Sequence, residues 1–445
     1  MPYILCFFFL LALAVFLSGS ASRSVLQLIY CFRVFLVLCQ SVWLWVSSRR
    51  ARRGQALQMP RFPVVFVPGL MSSGDGHPAA ELSEAIIVAC LSPYASSHDR
   101  AVELFHMLKG GVIDYGEEHS RKYGHKRFGR HLDARLPRWS AEAPVVLVTH
   151  SYGGNTARML QHLLATQFFD GYETSAAWVK AIICIAAPLN GFPVMHGVGM
   201  PLREDCLRGP TKTGIERGQQ VGRLPSLPRL GQTLGYLLHW AFGDFCWARL
   251  LYDWGLDHWC LTRRTGGWLA LWQLLWGSHH ILNTDDTAGY DLTVHGSGRL
   301  NSSLFMHPDT YYFSLPCVWT VASAGATTRG LPLPRATTAF FLVPLAALTT
   351  IFTPQKPPAS FVKEWDSTDW LHTDLIVPLR SQLYPCEGAD ASVIARKHAE
   401  LWTAGATLER GVWHVLPTSE VDHYNVLLFP PVIRSKLQAI LSALT

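Results

Sequence analysis

Ser151 stands where a serine can be made reactive. Residues 145 to 158 read Val-Val-Leu-Val-Thr-His-Ser-Tyr-Gly-Gly-Asn-Thr-Ala-Arg. An apolar run ends at His150-Ser151-Tyr152-Gly153 and a helix-forming stretch follows, the pattern of a strand, a sharp turn and a helix that lifts a serine hydroxyl clear of a sheet. A serine hydroxyl becomes nucleophilic at neutral pH when a histidine takes its proton, and that histidine needs a carboxylate to set its tautomer. With the order serine, acid, histidine, two downstream segments fit. Asp374 lies in Trp370-Leu-His-Thr-Asp-Leu-Ile-Val377, and His423 lies in Val421-Asp-His-Tyr-Asn-Val-Leu427. Asp366 and Asp369 are rivals for the acid, and His414 for the base. The oxyanion of an acyl intermediate calls for two backbone N–H donors. Tyr152 follows the nucleophile, and Leu70 follows the first strand.

The elements that must position these groups read as follows. Pro63-Val-Val-Phe-Val67 is a first buried strand, with Pro68-Gly69-Leu70 in the loop after it. Asp99 to Lys109 is a helix with Asp99 near its start. Val145 to Val148 is the strand before Ser151, and Thr156 to Leu164 the helix after it. Trp178 to Ala186 is another buried strand, Thr310 to Ser314 and Trp319 to Ala322 resume strand-like patterns, and residues 431 to 445 form a terminal helix. Strands alternating with helices imply a mostly parallel sheet covered on both faces, the α/β class. Thr149 stands two residues before the serine, where a small residue is expected.

The region of about 195 to 282 differs. It is rich in Trp, Leu and Gly and reads as an insertion, lid-sized, over the C-terminal edge of the sheet. Its tryptophans, taken singly, read as core; as a group they fit an apolar lid and acyl groove. The chain has 445 residues, 49% hydrophobic and only 16% charged, with sixteen tryptophans. That apolar bias suggests a membrane segment or an apolar functional surface. The net charge is +6, and Arg49, Arg50, Arg52 and Arg53 supply four of it, leaving 6 − 4 = 2 for the rest. Nothing in this balance argues for nucleic acid. The ten cysteines contain no Cys-x-x-Cys pair, which disfavours a zinc–thiolate cluster; Cys184 reads as a small buried hydrophobe.

Residues 1–54 read as a leader with a basic stop, ahead of a hydrolase domain at 55–445. Pro2 to Leu17 is uncharged and apolar, and Val25 to Val46 is long enough to span a bilayer despite Arg33. Three arrangements are open: a signal peptide cleaved after about residue 21 that leaves an anchor or amphipathic segment, a membrane hairpin, or one long targeting signal. Each implies secretory entry or membrane association. A further apolar run, Ala336 to Phe352, reads as a buried helix, with a re-entrant membrane segment as the alternative.

Beyond the serine turn, a series of segments resembles the thermoalkalophilic bacterial lipases and their staphylococcal relatives. His150-Ser-Tyr-Gly-Gly-Asn-Thr-Ala-Arg-Met-Leu160 is similar to theirs. So are Asp114-Tyr-Gly116 with His119, Gly124-His125, Arg127-Phe-Gly-Arg130, Tyr252-Asp-Trp-Gly-Leu-Asp257 and Asp286-Thr-Ala-Gly-Tyr-Asp-Leu292. Asn301, Thr310-Tyr-Tyr312, Trp370-Leu with Asp374, and Gly411-Val-Trp413 with Val421-Asp-His423 complete the set, in matching order over most of residues 62 to 440.

The resemblance implies an α/β-hydrolase fold with a helical lid, hydrolysis of lipid acyl esters such as triacylglycerol-like ones through an acyl-enzyme, Ser151 as nucleophile, Asp374 as orienting acid, His423 as general base, and Leu70 and Tyr152 as oxyanion donors. It also implies a structural zinc held by Asp99, His119, His125 and Asp286, with Asp285 a rival to Asp286. Spacing alone would leave His119 and His125 as surface histidines among Arg121, Lys122, Lys126 and Arg127.

The chain departs from the family at Pro68, where histidine is usual, and at Leu375, where glycine is common. Asn425 and Phe429-Pro-Pro replace the family's calcium ligands, so calcium is not expected. Phospholipid cleavage, acyl transfer to an alcohol, and a non-catalytic membrane-bound binding role for the same fold are the alternative readings.

Overall fold

The computed structural model describes residues 57–70, 78–192, 236–245, 253–276, 284–321, 370–386 and 405–444, with short stretches between them. The leader (1–54), the acid rivals Asp366 and Asp369, and most of 193–235 and 347–369 lie outside the described residues.

In chain order the strands are β1 (Val64–Val67), β2 (Ile86–Val88), β3 (Gly111–Asp114), β4 (Phe128–Leu132), β5 (Val145–His150), β6 (Val179–Ile185), β7 (Tyr311–Leu315), β8 (Thr320–Val321), β9 (Leu333–Pro334), β10 (Ala399–Leu401) and β11 (Trp413–Val415). Seven form one sheet in the order β10-β11-β7-β6-β5-β1-β2, with every neighbouring pair parallel. β3 pairs with β4, and β8 with β9, as separate antiparallel ribbons. The helices are α1 (Ser97–Lys109), α2 (Glu117–Tyr123), α3 (Gly153–Ala165), α4 (Gly267–Leu275), α5 (Ala288–Asp291), α6 (Val294–Ser303), α7 (Leu379–Leu383) and α8 (Pro431–Ala443).

All six residues of β5 are buried. Its apolar run is continuous because both faces of a parallel sheet are covered. Val65, Val67, Val145 and Leu147 pack on one face with Val102 and Phe105 of α1 and Leu160 and Leu164 of α3. Val64, Phe66, Val146 and Val148 pack on the other with Ile433, Leu437 and Ile440 of α8. This is the α/β-hydrolase arrangement expected from the sequence.

The described part of the insertion has a small core of its own. Tyr236, Trp240, Leu256, Trp259, Leu261, Leu274 and Ile281 are buried together. It is tied to the β3–β4 ribbon by Lys126 N–H donating to the His258 carbonyl at 2.9 Å and by Arg130 paired with Asp253 and Asp257. Of the apolar run Ala336 to Phe352, Ala339, Leu342 and Ala346 are buried against Leu375, on the loop that carries Asp374. Among the described residues no helix is long and apolar enough to cross a membrane.

Candidate active site

The C-terminal ends of β1 and β5 meet at Ser151. The serine has φ 54°, a left-handed backbone that a non-glycine residue holds only when its surroundings impose it. The Ser151 N–H donates to the Ile185 carbonyl at 2.9 Å, and α3 begins two residues later. The tight position is not Thr149, whose Oγ1 donates to the Ile183 carbonyl at 3.2 Å. The pinch falls on Gly153, where a Cβ would lie 2.2 Å from the Val67 carbonyl oxygen. A side chain there would prevent the turn from closing against β1.

The structure brings the three sequence-predicted residues into one hydrogen-bonded chain. His423 Nε2 is 2.9 Å from Ser151 Oγ, and His423 Nδ1 is 2.7 Å from Asp374 Oδ2. All three are buried, Asp374 fully. Asp374 Oδ1 accepts from the N–H groups of Ile376 (3.0 Å) and Val377 (2.8 Å), so its other oxygen is left to face the imidazole. The His423 N–H donates to the Asp374 carbonyl at 2.8 Å, and His150 Nε2 lies 3.1 Å from the His423 carbonyl. Asp422 shapes the turn: its Oδ1 accepts from the N–H groups of Tyr424 and Asn425. The rival His414 is buried in β11, with Nε2 2.9 Å from the Glu409 carbonyl. Leu375, in place of the expected glycine, adopts φ 84°. The strain is offset by its N–H donating to Thr373 Oγ1 at 3.1 Å and by burial of its side chain.

The loop after β1 lies directly against Ser151. A Cβ on Gly69 would come within 2.7 Å of Ser151 Cβ. Leu70 packs with Tyr152, Phe192, Ala288 and Leu292. Among the described residues neither the Leu70 nor the Tyr152 N–H has an acceptor. Sequence reasoning missed the residue that joins these two segments. Arg100 is fully buried, donates to the Pro68 carbonyl (2.6 Å), the Ser92 carbonyl (2.9 Å) and Thr156 Oγ1 (3.0 Å), and lies over the Tyr152 ring. It pins the loop in which Pro68 replaces the family's histidine. Asp291 was missed as well. Its Oδ2 accepts from Tyr152 Oη (2.8 Å) and the Ser97 N–H (2.6 Å). Burial first, with Asp286 adding to it, pushes the Asp291 carboxyl up to about 6 against those hydrogen bonds. Arg100 lies in none of the matched segments and Asp291 lies in one, Asp286 to Leu292, but in both cases the role emerges from packing between distant segments.

A second cluster gathers at the N-terminal end of α1. Asp99 of α1, His119 of α2, His125 just past α2 and Asp286 just before α5 each offer a ligand atom within 4.8 Å of the others. His119 Nε2 is 3.2 Å from both Asp99 Oδ1 and Asp286 Oδ2; His125 Nε2 is 3.3 Å from Asp286 Oδ2 and 4.0 Å from Asp99 Oδ2. The rival Asp285 instead pairs with Arg299 at 2.8 Å.

The donor set fits a divalent metal. His125 Nδ1 lies 2.9 Å from the Lys126 carbonyl and must donate to it, which leaves an Nε2 lone pair facing two carboxylates. That nitrogen is buried and makes no hydrogen bond. Two buried carboxylates and a lone pair converging on one point are repulsive unless a cation sits among them. Protons are the competing cations: burial opposes them at His119, but hydrogen bonds to Asp286 and Asp99 prevail and raise it to about 9. Asp99 is further held by His258 Nε2 (3.1 Å) and His98 Nδ1 (3.2 Å). His258 follows directly on the matched segment ending at Asp257, so adjacency to that segment was the available signal.

A family model described as lipase-like, C-terminal domain matches residues 81–180. The chain is 28% identical over 357 residues to a lipase of Staphylococcus hyicus, covering 76% of this chain and 46% of the relative. It is 27% identical over 398 residues to lipase 2 of Staphylococcus aureus, covering 85% and 52%. The chain thus spans about half the length of the curated relatives it matches. The crystal structure of Staphylococcus hyicus lipase superposes with a TM-score of 0.63 at 24% identity, covering 88% of this chain and 97% of that one. EstA from Clostridium botulinum superposes with the same score at 23% identity, covering 90% and 89%, and both likenesses speak to the fold. The serine turn, the ordered acid and histidine, and relatives that run across most of the sequence agree: the chain is similar to the staphylococcal lipases over most of its length.

Proposed function

We propose that the protein is a serine carboxylic ester hydrolase acting on lipid acyl esters. The observation that carries this is the continuous chain from Ser151 Oγ through His423 to the buried Asp374 carboxylate. In this reading Ser151 Oγ attacks the ester carbonyl while His423 Nε2 takes its proton. Asp374 holds the proton on Nδ1 and stabilises the imidazolium. The N–H groups of Tyr152 and Leu70 receive the oxyanion, which lowers the barrier by several kcal/mol. His423 then protonates the departing alcohol, and water, activated by the same imidazole, releases the fatty acid from Ser151. The names of the lipase relatives support a lipid ester as substrate.

The metal reading is that zinc occupies the Asp99, His119, His125 and Asp286 cluster, since imidazole nitrogen and carboxylate oxygen suit that ion in a closed structural site. When bound it would supply charge neutralisation between α1, α2 and the segment before α5, and take no part in the ester chemistry. The hydrophobic leader supports entry into the secretory pathway or membrane association, and residues 55–445 are read as one hydrolase domain with its insertion at about 195–282.

The test is hydrolysis of p-nitrophenyl esters of graded chain length by the wild type and Ser151→Ala. The variant is expected to lose nearly all activity at every chain length. Equal rates would overturn the serine mechanism.

A further inference from the structure

The insertion turns an apolar helix face outward. Helix α4 reads Gly-Trp-Leu-Ala-Leu-Trp-Gln-Leu-Leu, carries no charged residue and is followed by Trp276. Its inner positions, Ala270 and Leu274, are buried in the core of the insertion with Trp240 and Trp259. The outward positions are Trp268, Leu269, Trp272, Leu275 and Trp276, spaced as one helical face. Their exposures are 77%, 67%, 57%, 53% and 67%. On a surface helix that face is normally polar. The three tryptophans alone expose roughly 500 Å², already at the upper end of what a soluble monomer tolerates, and Leu269 and Leu275 add to it.

The patch is built rather than incidental. Trp272 and Trp276 stack at 4.1 Å. The helical segment 236–242 is anchored beside α4 by Trp240 Nε1 donating to the Gly267 carbonyl at 2.8 Å, and it adds the exposed Leu238 and Phe242. The border is cationic. Arg263 and Arg264 are exposed just before α4, and the Arg263 guanidinium lies over the Trp240 ring. The exposed Lys126 lines the same groove as Leu269 and Gln273. Arg121 and Lys122 are exposed on α2, whose Tyr123 packs into the same small core. Among the described residues Asp244 stands at this edge, where it accepts from the Arg264 N–H at 2.8 Å, and Glu117 and Glu118 are exposed at the start of α2.

We propose that α4 is a docking helix that seats its tryptophan face in an anionic lipid surface while Arg263, Arg264 and Lys126 meet the head groups. Indoles settle at the level where hydrocarbon gives way to head groups. Basic side chains beside an inserted apolar face add attraction to anionic lipid. A protein partner would be met by a rim of both donors and acceptors around such a patch; here the outward face of α4 offers only the indole N–H donors of Trp268, Trp272 and Trp276 and no side-chain acceptor. The purpose of the surface rests on the lipid-ester reading above, but its binding to lipid is measurable without any hydrolysis.

The experiment uses the full chain in a Ser151→Ala background, so that vesicles are not consumed. Flotation is measured with phosphatidylcholine vesicles with and without phosphatidylglycerol. Trp268→Ser/Trp272→Ser/Trp276→Ser is expected to weaken partitioning at least about tenfold. Arg263→Gln/Arg264→Gln is expected to lose the preference for anionic vesicles while keeping binding to neutral ones. With Ser151 intact, both variants keep the wild-type rate on water-soluble p-nitrophenyl acetate, which also shows that they fold. Unchanged flotation of the tryptophan variant would overturn the proposal, since another surface or the leader would then do the binding. So would loss of the soluble-ester rate in a folded tryptophan variant, which would place the face in the substrate groove. A wild-type dimer dissociated by the tryptophan changes, with flotation unaffected, would make a second copy the occupant. If the wild type cleaves no ester but floats through α4, the docking stands and the catalytic reading falls.

Discussion

Asp374→Asn gives the sharpest prediction, because the structure decides which way the new amide must point. Asp374 Oδ1 accepts two backbone N–H groups, from Ile376 and Val377, while Oδ2 faces His423 Nδ1 at 2.7 Å. An asparagine keeps its oxygen toward the two N–H donors, so its NH2 must face His423. The opposite orientation would set an NH2 against two N–H groups and leave both donors unsatisfied, at about 1–3 kcal/mol each. A donor facing Nδ1 requires that nitrogen to be an acceptor. The imidazole proton then resides on Nε2, pointing at Ser151 Oγ 2.9 Å away, and the histidine cannot take the serine proton. Loss of the correct tautomer costs roughly 10⁴-fold in kcat, which corresponds to about 5 kcal/mol of barrier. The assay is steady-state hydrolysis of a water-soluble p-nitrophenyl ester, with KM expected to stay within a few-fold and thermal unfolding close to wild type. A kcat within tenfold of wild type would refute the assignment and direct attention to Asp366 or Asp369.

Three further predictions concern the second cluster and the carboxyl that holds Tyr152. Chelation of a zinc-loaded protein should lower its unfolding temperature, by up to about 4 kcal/mol of stability if the metal is present at a thousandfold over its dissociation constant. His119→Ala should lose most of the bound zinc and become insensitive to chelator; full retention of one zinc per chain would remove His119 from the ligand set. Asp291→Asn should keep the hydrogen bonds from Tyr152 and Ser97, since a single acceptor oxygen serves both. The wild-type carboxyl, raised by burial from 3.8 to about 6, holds its proton more tightly folded than unfolded. Its contribution is therefore fully present below the unfolded value and lost as pH rises through about 6. The stability advantage of the variant should grow by about 1 kcal/mol between pH 5 and pH 8; urea denaturation showing a constant difference over that range would contradict the shift.

Long apolar runs closed by turn residues made β1, β5 and β6 legible, and α1 and α3 with them. Ser96, which caps α1 by accepting from the Asp99 N–H, moves the helix start two residues ahead of the expected Asp99. The ribbon strand β4, Phe-Gly-Arg-His-Leu, is largely exposed and carries no alternation to read. β10 and β11 are three residues each, shorter than any periodicity window can resolve. The tryptophans of the insertion look alike in sequence yet divide: Trp240 and Trp259 are buried, while Trp268, Trp272 and Trp276 are exposed. Composition counts indoles; only packing tells which way a helix faces.

Residue type and order alone determined that a serine, an acid and a histidine follow one another in the hydrolase order; that two Asp and two His could share a cation came only from the resemblance of their segments to a known family. These are statements about which functional groups exist, and local sequence carries them. Orientation came from the tertiary structure. Arg100 reaching the Pro68 carbonyl, Asp291 holding the Tyr152 phenol, and the two N–H groups that turn one Asp374 oxygen toward His423 are settled where segments far apart in the chain meet. A hydrogen bond has a direction, and across such separations that direction is set by packing of the sheet and its loops, about which the pattern along the chain is silent.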